Sequence, residues 1–159
     1  MNSWYLISVF THIIFAAFWI GGMLFLPLVI LPGIKQHPDR IAILYNTGIK
    51  FRLYGWVALL ALLTTGLLNI HLRGLPLTWD FFTESSYGCL VSYKVLIFFG
   101  ILLISGIHDL FFGNKALEEM QAGDNSKFKL FARWSGRINL LLALAMAFIG
   151  LILSRGGVL

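Results

Sequence analysis

Apolar residues fill the chain in long blocks, and charges gather in the short stretches between them. No charged residue occurs before Lys35. Leu53 to Leu72 is 20 residues without Asp, Glu, Lys or Arg. Val95 to His108 gives 14 more, extended upstream by Gly88–Tyr93 if Lys94 is tolerated, and Ile138 to Ser154 gives 17. A spanning helix takes about 20 mainly apolar residues. The pattern therefore predicts four transmembrane helices, roughly 4–31, 52–73, 88–112 and 135–154, in one domain over 1–159. The predicted fold class is all-α: an integral membrane antiparallel four-helix bundle with both termini outside. The first block is overlong, and Pro27 or Pro32 is expected to kink or end its helix. It has neither a basic leader nor a small-residue cleavage site, so it does not read as a signal peptide.

Composition sharpens this picture. Hydrophobic residues make up 58% and charged residues 12%, against about 45–50% and about 25% in ordinary soluble domains. That composition does not suit a soluble domain of this size, and it speaks against a disordered chain and a nucleic-acid-binding protein. Loop 32–52 carries Lys35, Arg40, Lys50 and Arg52, and loop 113–137 carries Lys115, Lys127, Lys129, Arg133 and Arg137. The opposite side has Arg73 and Arg155. Basic residues favour the cytoplasmic side. Both loops are thus predicted to be cytoplasmic, in a bacterial-type inner membrane. The net charge of +5 is then this bias plus attraction to anionic lipid. Trp4, Tyr5, Trp79 and Tyr87 fall where an outer aromatic belt would lie. Cys89 is the sole cysteine, which rules out an intrachain disulfide and a thiolate cluster.

A weak repeat runs through the chain. Arg52-Leu53-Tyr54-Gly55 is echoed by Arg133-Trp134-Ser135-Gly136, 81 residues on. At an offset of 82, Leu59-Leu60-Ala61-Leu62 meets Leu141-Leu142-Ala143-Leu144 and His12 meets Lys94.

Chemistry, if there is any, must come from the few polar groups inside the spans. An ionisable residue there costs roughly 2.5–3.5 kcal/mol on insertion scales. By helical rise, His12 lies about 12 Å below Trp4 and Lys94 about 10 Å below Tyr87, so both reach the outer half of the bundle. His108 lies about 21 Å beyond Lys94, near the inner face beside Asp109. His71 and Asn69 close the second helix on the outer side. His12, Phe15, Ala16, Trp19, Gly22, Met23 and Leu26 share one helical face, and Gly21-Gly22 would admit a close neighbour. Trp19 would wall a planar cofactor or simply pack. Each candidate has a plainer reading beside it. His12 would bond a neighbouring helix, Lys94 would snorkel to the headgroups, and His71 and His108-Asp109 would be boundary residues. The Thr64-Thr65 pair and Asn69 read as interhelical hydrogen-bond glue.

The pattern His12-x6-Trp19-x2-Gly22-x3-Leu26-Pro27 resembles the opening helix of HemJ-type protoporphyrinogen oxidases and of the copper-resistance CopD membrane domain. The Leu-Pro step and Arg52-Leu53-Tyr54 look more like the HemJ-type pattern. Lys94 is similar in position to a lysine near the start of the third helix in both. Ile107-His108-Asp109-Leu110-Phe111-Phe112-Gly113 looks more like a CopD branch. Leu28 stands where a HemJ-type protein has arginine, and the third helix lacks that family's aromatic-His cluster. The HemJ-type resemblance implies haem b near His12 and a redox role. The CopD resemblance implies copper handling.

Three functions follow. In the first, the chain is a haem-dependent membrane oxidoreductase with His12 as axial ligand or proton acceptor. Lys94 or His71 would stand opposite, or Lys94 would anchor the carboxylates of a porphyrin-type substrate, and Trp19 and Gly22 would flank the cofactor. A quinone acceptor would suit the membrane location. In the second, the chain transports copper, with His12 and His71 at the entry and His108 near the exit. In the third, it is a cofactor-free assembly subunit whose 16 glycines suit close packing, with another protein or as a homo-oligomer. The lipid bilayer is a partner in all three.

Overall fold

The computed structural model describes residues 3–112 and 127–157. Four helices are long and apolar enough to cross a membrane, over Ser3–Gly33, Arg40–Leu72, Ser86–Leu110 and Arg133–Ser154. The chain is a multi-pass membrane protein of all-α architecture. Helix α1 (Ser3–Phe25) runs on through a π-helical turn (Leu26–Ile30) to Gly33. Pro27 therefore neither ends the helix nor breaks it. Its ring lacks an N–H for the α-helical ladder, and one widened turn absorbs that defect. After a turn in which His37 Nδ1 accepts from the Asp39 N–H at 3.1 Å, α2 (Arg40–Leu72) begins.

The expected loop 32–52 is thus mostly helix. Lys50 and Arg52 mark where apolar sequence begins, whereas helical hydrogen bonding extends about three turns beyond it. A short α3 (Trp79–Glu84) leads into α4 (Ser86–Ile107), whose N–H groups are capped by Ser85 Oγ accepting from Gly88 N at 2.9 Å. A second π turn (His108–Phe112) follows, and α5 (Lys127–Ser154) completes the bundle. Most of the expected loop 113–137 lies outside the described residues, and its last part belongs to α5.

The long helices pair as antiparallel hairpins. In the first, Ser8 and His12 of α1 meet Thr65 of α2, Trp19 meets Gly55, and Gly22 meets Phe51. In the second, Tyr87 of α4 meets Gly157, Lys94 meets Gly150 and Ser105 meets Asn139 of α5. The hairpins join along α1 and α5, around a core of Trp19, Leu59, Phe98, Ile101 and Ala143. Every residue of the predicted α1 face from His12 to Leu26 is buried or half-buried, while Ile13, Ile14, Ala17 and Phe18 are exposed. The end with both termini carries Trp4 and Trp79, 70% and 80% exposed, as an interfacial belt would. There Arg73 stacks on the Tyr87 ring at 4.8 Å and donates to its hydroxyl.

Candidate functional site

His12 is the best-defined polar group in the terminal half. α1 and α2 approach closely because Gly22 receives the Phe51 ring and Gly55 receives Trp19. That approach puts His12 Nδ1 2.8 Å from Thr65 Oγ1. Thr65 Oγ1 in turn lies 2.6 Å from the Ala61 carbonyl. A hydroxyl has one proton, and the shorter contact commits it to Ala61. Thr65 Oγ1 therefore accepts from His12 Nδ1–H. In that arrangement the imidazole is oriented from its Nδ1 side, and the lone pair falls on Nε2. Gly66 leaves room beside the ring, since a Cβ there would lie 3.7 Å from His12 Cε1. Ser8 Oγ closes this layer with a long contact of 3.4 Å to the Thr65 carbonyl.

Lys94 comes from the other hairpin to the same depth. Its Nζ lies over Gly150, where a Cβ would stand 3.3 Å away. The offset of 82 that maps His12 on Lys94 maps Thr65 on Ala147, about one turn short of Gly150. The hairpins correspond in fold but not in this detail: one offers its cation a glycine, the other offers its imidazole a hydroxyl.

The remaining candidates lie elsewhere. Trp19 is 8% exposed and stacks on Phe51 at 5.8 Å with 12° between planes. One of its faces is thus taken by an internal contact, which is the packing alternative. Gly22 is occupied by the same Phe51 ring. His71 is exposed near the end of α2, six residues past Thr65 and so about 9 Å beyond the His12 layer. His108 lies at the opposite end, its Nδ1 3.1 Å from Asp109 Oδ1. Among the described residues no three His, Cys, Asp or Glu side chains gather as a metal set.

Sequence reasoning passed over two residues that matter. Trp56 Nε1 donates to Asp109 Oδ2 at 2.7 Å, tying α2 to the end of α4. Asn139 donates to Ser105 Oγ at 2.8 Å in the interior. A lone Asn in an otherwise apolar span was itself a signal. The Trp56–Asp109 contact crosses 53 residues and has no local signature. Thr65 does act between helices, as expected, while Thr64 bonds only its own helix through the Leu60 carbonyl.

Residues 47–153 match the protein family CopD, copper resistance protein D. The match starts within α2 and runs on into α5, with Thr65, Lys94, His108 and Asp109, and leaves α1 with His12 before its start. A protein of Aquifex aeolicus (strain VF5), described as uncharacterized, is 34% identical over 149 residues, 92% of this chain and 93% of its own. No solved structure matches the chain.

Proposed function

The chain belongs to the copper resistance protein D family, and from that premise we propose that it is a copper-handling membrane protein whose His12 imidazole receives the metal as cargo. The carrying observation is the contact that orients His12, its Nδ1 2.8 Å from Thr65 Oγ1; with the proton on Nδ1, Nε2 is the nitrogen that would bind. Imidazole nitrogen suits copper, and a histidine whose other nitrogen is engaged is pre-set for a metal. Lys94, at the same depth, keeps a cation from resting deeply there.

The orientation that fits this reading puts the termini and His12 outside, with the Lys- and Arg-rich segments 32–52 and 113–137 on the cytoplasmic side of an inner membrane. Copper would then meet His12 first. Haem b would rest on the same imidazole, and it also needs a flat apolar slot. The Trp19 side of His12 offers an indole already stacked on Phe51, so the residues present suit a small ion better than a porphyrin.

The test is copper accumulation in cells expressing the wild-type chain or His12→Ala at equal membrane abundance. Accumulation should fall to the vector level in the variant. Equal accumulation would remove the copper role and leave an assembly subunit. A Soret band from protein purified in mild detergent would move the assignment to haem.

A further inference from the structure

The opposite end of the bundle holds a second arrangement of the same kind, built from different chemistry. Asp109 uses both carboxylate oxygens. Oδ2 accepts from the Trp56 indole at 2.7 Å, and Oδ1 faces His108 Nδ1 at 3.1 Å. The carboxylate is mostly sequestered, 19% exposed, with His108 at 33%. A carboxylate on Nδ1 fixes the imidazole with its Nε2 lone pair outward, which is how proteins orient histidines for metals.

Two further observations point to an occupant. First, Asp109 lies at the carbonyl end of α4, where helix dipoles disfavour negative charge, and no basic residue stands in that helix's last turn to offset it. Second, Asn139 is 7% exposed and spends its amide on Ser105, while its Oδ1 has no hydrogen-bond partner among the described residues. Ser105 lies three residues before His108 and four before Asp109, on one helical face. The π turn from His108 packs against α5, which carries Asn139. This end thus combines an oriented imidazole and a half-buried carboxylate with an orphaned carbonyl oxygen about one helical turn away, all electron-pair donors. Such a set calls for a cation.

We propose that His108, oriented by Asp109 and Trp56 and backed by Asn139, is a second metal station, where copper arrives after leaving His12. The proposal rests on the copper reading above, yet it is separable from it. The experiment titrates Cu²⁺ into the full chain in detergent and follows bound ions and their EPR spectra. The wild-type chain should bind two equivalents with distinct spectra. His12→Ala should lose one signal and His108→Ala the other. Asp109→Asn and Trp56→Phe should weaken only the second, by about 10-fold or more.

The His12 signal reports folding in every loop-end variant. A misfolded His108→Ala would lose both signals, and the near-isosteric Asp109→Asn then decides. One equivalent in the wild type, abolished by His12→Ala, overturns the second station and leaves the first. One equivalent abolished by His108→Ala overturns the first alone. Two equivalents untouched by His108→Ala and Asp109→Asn also overturn the proposal.

Discussion

The bundle holds one imidazole in each half, and it holds them by opposite means. At the terminal end a neutral hydroxyl, Thr65, holds His12, and Lys94 comes from the other hairpin over Gly150. At the loop end a carboxylate fixes His108, and an indole holds the carboxylate. A metal ion at the first meets a like charge when Lys94 is protonated; at the second it meets a carboxylate. In a low-dielectric interior such differences are magnified. If copper passes between the two, the contrast would give its passage a direction, with weaker binding at His12 and tighter binding at His108. Nothing of the kind would be needed in a bundle held only by packing.

The largest effect should come from the core that separates the two layers. A Cβ on Gly55 would stand 2.5 Å from the Trp19 ring. Gly55→Ala must push Trp19 off Phe51 and spread the first hairpin. Overpacking of this sort costs about 1–3 kcal/mol, which thermal unfolding in detergent would register as a lower Tm. Because the same indole helps space the layers, both metal signals should weaken together. A variant of unchanged stability would mean that the close α1–α2 approach does not set the position of His12.

Thr65→Val separates holding from packing. Interhelical hydrogen bonds in membrane proteins average only about 0.6 kcal/mol, so the fold should barely notice. Metal affinity at His12 should drop roughly 10–100-fold, as it does when an orienting partner is removed. If affinity falls no more than stability, Thr65 is glue and no more.

Lys94→Gln should act in the opposite direction. Removing the like charge should raise Cu²⁺ affinity at His12 about tenfold, equivalent to 1.4 kcal/mol, and leave the His108 signal alone. Weaker binding in this variant would make Lys94 a ligand and erase the electrostatic contrast between the layers.

How much of this could be read from the sequence differs between the halves. The four spans were legible because uncharged runs are long and unmistakable, and the equal depth of His12 and Lys94 followed from helical rise alone. The inward face of α1 was legible too, as its buried positions recur at helical spacing. Helix ends were not. α2 begins at Arg40, well before the apolar run, since a helix can continue into water where a hydropathy pattern cannot follow. The loop-end layer was half legible. His108-Asp109 stood out as neighbours, but whether they were solvated depended on Trp56 from another helix, and tertiary proximity leaves no periodic trace. The placement of Trp19 was open for the same reason: a tryptophan beside glycines suits a cofactor or a close helix equally, and Phe51 fixed the outcome.

The smallest effect is the most discriminating for the loop-end layer. Asn139→Leu with Ser105→Ala removes the buried hydrogen bond and the orphaned oxygen together. Replacing both partners of a hydrogen bond by apolar groups can be nearly neutral, and the membrane value for the bond is about 0.6 kcal/mol. The double variant should therefore unfold within a degree or two of wild type. If Asn139 only joins α4 to α5, copper binding at His108 will not change either. If its carbonyl oxygen faces the cation, affinity there should fall severalfold while His12 binds as before. The oxygen lacks a partner among the described residues, as the amide oxygen of Asn69 does, so the change in affinity, and not the missing bond, decides whether a cation fills that place.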